Sequence, residues 1–231
     1  MVAAKVRRKR PLWRRILFWL AALVLAFYVL IAAALVSLKW IDPPATMVQI
    51  QRRIEAAIHR RPYRKRYAFV PLGRVSKDLQ HALIAAEDER FYRHHGIDWT
   101  ELHKVVDRDV DRGKLGRGAS TITQQLVKNL FLTTSRSLVR KGVEFTIAPA
   151  ADLILGKQRV LELYLNVIEW GPGVYGAEAA ANYWYNVPAA RLGRDESSRL
   201  AAIVPSPLKR KPARMNELSA DVMEKMRDMG W

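Results

Sequence analysis

The amino-acid sequence predicts a mostly α-helical domain carried on one N-terminal transmembrane helix. Three features lead there. Residues 16–38 form an uncharged apolar run of 23 residues, segment after segment downstream repeats its apolar residues at helical spacing, and no series of alternating, sheet-building segments is found. With 231 residues, half of them hydrophobic, the chain can bury one core of ordinary size beside such an anchor.

The charge distribution orients the anchor. The net charge is +17, but residues 1–66 hold 15 Lys/Arg against 2 Asp/Glu, whereas residues 67–231 hold 24 against 20. The excess surrounds the apolar run and does not mark a nucleic-acid surface. Lys5, Arg7, Arg8, Lys9, Arg10, Arg14 and Arg15 precede the run, and only Lys39, Arg52 and Arg53 follow it closely. Residues 1–15 are therefore expected as a cytoplasmic basic tail, with the chain beyond the span outside the cytoplasm, where nucleic acid is no partner. Trp13 and Trp40 bracket the span as interfacial anchors. A cleavable leader has a shorter apolar core and a small-residue cleavage site, so the run is taken as an uncleaved anchor. The chain has no cysteine, which removes disulfides and thiolate chemistry.

Residues 39–66 read as a membrane-proximal stalk. Ile50, Ile54, Ala57 and Ile58 share a helical face opposite Gln51, Arg52, Glu55 and His59, and the cationic HRRPYRKR follows. Such a segment is either a solvated linker or an amphipathic helix lying among lipid headgroups. Residues 67–231 form the domain. VSKDLQHALIAAEDERF predicts a helix with Ser76 as N-cap and Leu79, Leu83 and Ala86 on one stripe. DWTELHKVVDRDVDRG predicts a helix stopped by Gly113, and STITQQLVKNLFL another capped by Ser120, with Ile122, Leu126 and Leu130 on one face. SRSLVRKGVEFTIAPAADLIL is helical, with Pro149 expected to kink or interrupt it near Phe145. KQRVLELYLNVIEW is amphipathic through Val160, Leu161, Tyr164 and Leu165 and runs into the turn-rich GPGVYG. AEAAANYW restarts a helix, and DESSRLAAIVPSPLK gives the last, ending at Pro205.

Four polar clusters carry the candidate chemistry. AAEDERFYRHHG sets Glu87 and Asp88 at the end of an apolar helix, followed by Phe91, His94 and Gly96. A carboxylate emerging there is partly desolvated, which raises its pKa as a general acid or base requires. GRGASTITQQLVKN puts Thr121, Gln125 and Lys128 on neighbouring turns, donors for sugar hydroxyls with a charge for phosphate. SRSLVRKGVE collects Arg136, Arg140, Lys141 and Glu144, either a salt-bridged helix face or a cradle for a diphosphate. LNVIEWGPG closes a helix with Asn166 and Glu169 beside a rigid turn. GPGVYG fits a nucleotide-binding glycine pattern but follows a helix, not a strand, and Ser206 with Lys209 lacks the partner motifs of a penicillin-binding site. His94 and His95 have no second set of ligands at metal spacing.

In this order the clusters resemble the peptidoglycan glycosyltransferases, glycosyltransferase family 51. Glu87-Asp88-x-x-Phe91-x-x-His94-x-Gly96 is similar to the family's first motif, and Gly118-x-Ser120-Thr121-Ile122-x-Gln124-Gln125-Leu126-x-Lys128-Asn129 to its second. Arg140-Lys141-x-x-Glu144 is similar to the third, and Lys157-x-x-Val160-Leu161-Glu162-x-Tyr164-Leu165-Asn166 to the fourth. Leu200-Ala201-Ala202 with Pro205-x-Pro207 resembles the fifth. The single span and the lack of a transpeptidase domain are similar to the monofunctional members.

The resemblance implies a lysozyme-like fold with a membrane-embedded smaller lobe. It implies polymerisation of lipid II into glycan strands, with inversion at the donor anomeric carbon and loss of undecaprenyl diphosphate. By the same resemblance Glu87 is the general base on the acceptor 4-hydroxyl, and Lys128 and Arg136 stabilise the departing diphosphate. Glu144 supports that site, with a divalent cation, Mg or Mn, as an implied companion and no organic cofactor. Ser120, Gln124, Gln125, Asn129, Arg140 and Lys141 are implied to line the cleft, with Asp88, Phe91, His94, Gly96 and Asn166 supporting it. Implied partners are lipid II, the growing strand, the bilayer and other cell-wall synthases. A muramidase on a similar fold needs no cations for a leaving diphosphate, so Lys128 with Arg136 counts against it. A membrane-anchored scaffold would account for the anchor but not for five motifs in order.

Overall fold

Nine α-helices among the described residues carry the fold of this computed structural model, which describes residues 11–112, 120–135 and 137–231. They are α1 (Leu12–Ser37), α2 (Met47–Ile58), α3 (Lys77–Glu87), α4 (Trp99–Arg112), α5 (Ile122–Phe131), α6 (Leu138–Val167), α7 (Ala177–Tyr185), α8 (Arg194–Ile203) and α9 (Asn216–Asp228). The expected stripes are the core. Leu79 and Leu83 of α3, Ile122 and Leu126 of α5, Leu161 and Tyr164 of α6, and Leu200 and Ile203 of α8 are all buried together. Burial of each such side chain contributes about 1.5–3 kcal/mol. α5 lies along α6, while α3 packs on α8 and α9, so the ends of α3, α5 and α6 meet at one cleft.

A small sheet was not expected. β1 (Arg66–Tyr67), β2 (Glu169–Gly171) and β3 (Val174–Tyr175) pair in the order β1-β3-β2, with β1 parallel and β2 antiparallel to β3. Strands of two or three residues are too short for a period-two pattern to appear in a sequence. The helix after Pro205 was also missed: α9 follows it and packs on α3 and α8 through Val222 and Met226.

Pro149 does not interrupt α6. The helix continues through it, and the one non-helical residue inside is Gly156, at φ 73°. Pro149 lies on an exposed face, and the glycine takes the left-handed turn that other residues resist. From Leu138 to Leu153 that exposed face is uncharged: Leu138, Val139, Gly142, Thr146, Pro149, Ala150 and Leu153 lie on it, and Leu138 and Leu153 are each 86% exposed. α1 packs on α6, the Tyr28 hydroxyl lying 2.7 Å from that of Thr146, and Leu35 and Leu38 enter the core. Arg159 closes the end of α1, donating to the carbonyls of Leu38 and Ile41 and pairing with Asp42. A cation at a helix C-terminus meets the negative end of the helix dipole.

Within residues 39–66, α2 packs on α5. α2 turns its polar face inward: Gln51 bonds Thr134 through both its amide groups, and Arg52 pairs with Glu169 at 3.0 Å. The apolar face points outward, with Met47, Ile50, Ile54 and Ile58 exposed. A helix that buries its polar side and presents its apolar one is built for an apolar surrounding, not for water.

Candidate active site

α3 delivers its last residue, Glu87, to the cleft. The helix stops there because Asp88 leaves helical geometry, at φ −164°. The Asp88 carboxylate then accepts the N–H of Ile122 at 2.9 Å and pairs with His94 at 3.0 Å, both within the protein interior. It thus satisfies a free amide at the start of α5 and fixes α5 against the end of α3. Phe91 is buried beneath the Lys157 ammonium, 4.6 Å from its ring centre. Gly96, at φ +83°, approaches α6 so closely that a Cβ would lie 2.5 Å from the Ala148 carbonyl oxygen. Phe91, His94 and Gly96 are thus spent on packing and hydrogen bonds inside the protein, while Asp88 borders the cavity at Glu87 with its carboxylate tied to Ile122 and His94.

The N-cap of α5 is Thr121, not Ser120. Thr121 and Gln124 form a reciprocal capping box, and the Thr121 hydroxyl also donates to the Gly96 carbonyl at 2.6 Å. Gln124 is fully buried in that cap, so its expected place in the cleft lining is corrected. Asn129 is likewise spent on structure, donating to the Gln125 carbonyl. Ser76 holds the N-cap position of α3, but its hydroxyl donates to the Leu192 carbonyl and caps nothing. Asn166 ties Val70 to the end of α6 through three hydrogen bonds and supports from a distance.

The remaining candidates converge. Ser120, Gln125, Lys128, Arg140, Lys141 and Glu144 line a cavity of about 530 Å³. Ser120 also borders the adjoining cavity at Glu87, of about 210 Å³. Arg140 and Lys141 flank Glu144, both in ion pairs with it, and Lys141 donates to the Ser120 hydroxyl at 2.8 Å. Lys128 has no hydrogen bond or ion pair among the described residues. Arg136 lies outside the described residues.

The charges press on one another. Burial pushes the Glu87 carboxyl up from its ordinary range, against the Gln125 amide and the charges of Lys128 and Arg210. Burial lowers Lys128, and Arg140 lowers it further. Lys141 falls to about 8 by burial, with Arg140 and Lys128 adding to the effect. Crowded, desolvated cations of this kind favour a multiply charged anion. Lys141 carries its charge below about pH 8 and loses it above. The kcat/KM for a diphosphate-linked substrate is therefore expected to fall by about tenfold as pH rises through that value, since this ratio reports the free enzyme. Steady-state kinetics from pH 7 to 9.5 check it, and Lys141→Arg should remove the decline.

A divalent cation at this site would take most of its oxygens from a substrate diphosphate rather than from the protein. Glu144 is the single carboxylate of the cluster and is committed to two cations, and no group of three metal-binding side chains occurs among the described residues. Sequence reasoning also missed contributors. Arg52 acts on Lys128 from a segment read as a stalk, and Arg210 acts on Glu87 from beyond the last expected helix. Tyr164, read as a core residue, donates its hydroxyl to Gln125 at 2.7 Å.

A protein-family profile described as Transglycosylase matches residues 54–228, most of the chain. The chain belongs to the transglycosylase family. Among similar curated proteins, the biosynthetic peptidoglycan transglycosylase of Shewanella amazonensis is 40% identical over 94% of this chain and 89% of its own length. That of Thiobacillus denitrificans is 43% identical over 86% of this chain and 87% of its own, and that of Pseudomonas aeruginosa 40% over 89% and 86%. With the transglycosylase family comes the reaction class, glycosyl transfer in glycan polymerisation for cell-wall biosynthesis. The match begins inside α2, in keeping with the packing of that helix on the domain.

Proposed function

We propose that the protein polymerises lipid II, with Glu87 as the general base. The observation that carries this reading is the asymmetry of one carboxylate. Glu87 Oε2 accepts a 2.6 Å hydrogen bond from Gln125, while Oε1 is buried and has no hydrogen-bond partner among the described residues, and the cation cluster adjoins it. The free oxygen takes the proton of the acceptor 4-hydroxyl as that hydroxyl oxygen bonds to the donor anomeric carbon. The bond from that carbon to the diphosphate oxygen breaks, and the leaving group departs with its negative charge. A diphosphate needs no proton to leave, so cations serve it better than a second acid. Lys128, Arg140 and Lys141 supply them, with Glu144 keeping the two α6 cations in place.

The lipid end of the substrate argues for the surroundings. α1 is long and apolar enough to cross a membrane, and the charge-free face of α6 runs beside it. Opposite that face α6 carries Arg140, Lys141 and Glu144. One helix thus meets acyl chains on one side and diphosphate on the other. In this reading α1 is a single-pass anchor in the bacterial inner membrane, with the N-terminus cytoplasmic and the domain periplasmic. The detergent-solubilised protein incubated with labelled lipid II should give a ladder of glycan strands on a gel. Cleavage of preformed glycan without any ladder would overturn the reading in favour of a muramidase.

A further inference from the structure

We propose that Tyr164 is a positioning residue of the transfer reaction: its buried hydroxyl holds the Gln125 amide with the NH2 toward Glu87, keeping the carboxylate aimed and ready to accept a proton. The inference rests on the reading of Glu87 as base. Tyr164 is fully buried in α6, and its hydroxyl donates to Gln125 Oε1 at 2.7 Å. Gln125 Nε2 in turn donates to Glu87 Oε2 at 2.6 Å. The chain Tyr164–Gln125–Glu87 therefore runs from the core to the reacting atom, each link a donor meeting an acceptor.

The amide has two orientations, and the tyrosine selects between them. As observed, the tyrosine proton, the amide oxygen, the amide NH2 and the ionised carboxylate are matched. With the amide turned over, its oxygen faces Glu87, which then has to be protonated. The Tyr164 hydroxyl would accept from the NH2, and its own proton would have no partner among the described residues. A buried donor without an acceptor is disfavoured, so the tyrosine biases the amide toward the ionised base. The Ser120 carbonyl, 3.5 Å from the same Gln125 Nε2, adds to this bias, and the charged groups facing Glu87 do not replace it. Lys128 of α5 and Arg210 beyond α8 act through space, Asp88 opposes them, and Lys225 of α9 is paired with Glu89.

Tyr164→Phe removes one hydroxyl and little volume. In the pH–rate profile for lipid II polymerisation, its acidic limb should move upward by about one pH unit, so that activity lost near neutrality returns at higher pH. kcat should fall while KM holds, because the diphosphate cations are untouched. Gln125→Met should show a similar displacement. Tyr164→Phe combined with Gln125→Met should match Gln125→Met alone. The double variant removes the tyrosine hydroxyl and the amide together, and Glu87 loses its Gln125 donor in it just as in Gln125→Met alone, so this comparison stands even if Tyr164→Phe alone does not fold. A Tyr164→Phe profile that overlies the parent, or a further displacement in the Gln125→Met background, would overturn the proposal. Glu87→Gln runs beside them: if it polymerises normally, the assignment of the base fails and this inference with it. If it is inactive and the tyrosine profiles overlie, the inference alone fails.

Discussion

Glu87→Gln is expected to slow glycan polymerisation by about 10²–10⁴-fold while the protein unfolds at the same temperature or higher. The two effects have one cause. A carboxylate at the end of α3 is held above its ordinary pKa by burial, so its negative charge is a cost to the fold that only the reaction uses. A glutamine keeps the shape, and its carbonyl oxygen still accepts from Gln125, but it takes no proton from a hydroxyl. Single-turnover rates with labelled lipid II, alongside thermal unfolding followed by circular dichroism, measure both. Wild-type turnover by this variant would remove Glu87 from the mechanism. Lost turnover with lowered stability would instead indicate a structural carboxylate, the role the geometry gives Asp88.

The distinction between those adjacent acids marks where the sequence stops being readable. The pair stands out at the end of an apolar helix, and one of the two was always going to be the more exposed. Which one depends on the φ of Asp88 and on an amide 34 residues away, at Ile122. The same limit explains the other differences. Ser120 and Thr121 are both hydroxyl residues of the kind that cap helices, and only the approach of Gly96 and of Lys141 decides that Thr121 caps and Ser120 faces the cleft. Local pattern sets α2 as amphipathic, but the partner that turns its polar face inward, Glu169, is 117 residues distant. Long-range partners of this kind have no periodicity to announce them. By contrast, Arg140, Lys141 and Glu144 were legible as a unit, because three and four residues on a helix fix their neighbourhood without help from the rest of the chain.

Lys128→Met is expected to lower kcat by about 10²–10³-fold, as removal of a preorganised charge at a developing anion does elsewhere. Arg140 and Lys141 are tied to Glu144, so a diphosphate shares them with a carboxylate already in place. Lys128 has no such tie among the described residues, and in the proposed reaction its charge is left for the leaving group. Burial and the neighbouring Arg140 both oppose that charge, so its removal relieves repulsion. The variant should therefore unfold at an unchanged or higher temperature, the pattern of a residue kept for function at some expense of stability. Its profile should also carry a second sign. Lys128 lowers the pKa of Glu87, so without it the acidic limb of any residual activity should lie at higher pH, in the direction expected for Tyr164→Phe. Here, however, the loss in kcat should persist at the alkaline plateau, where the base is ionised in both proteins. A plateau that returned to the wild-type rate would mean that Lys128 serves only to tune Glu87. A plateau that stays low would mean that it also meets the leaving diphosphate.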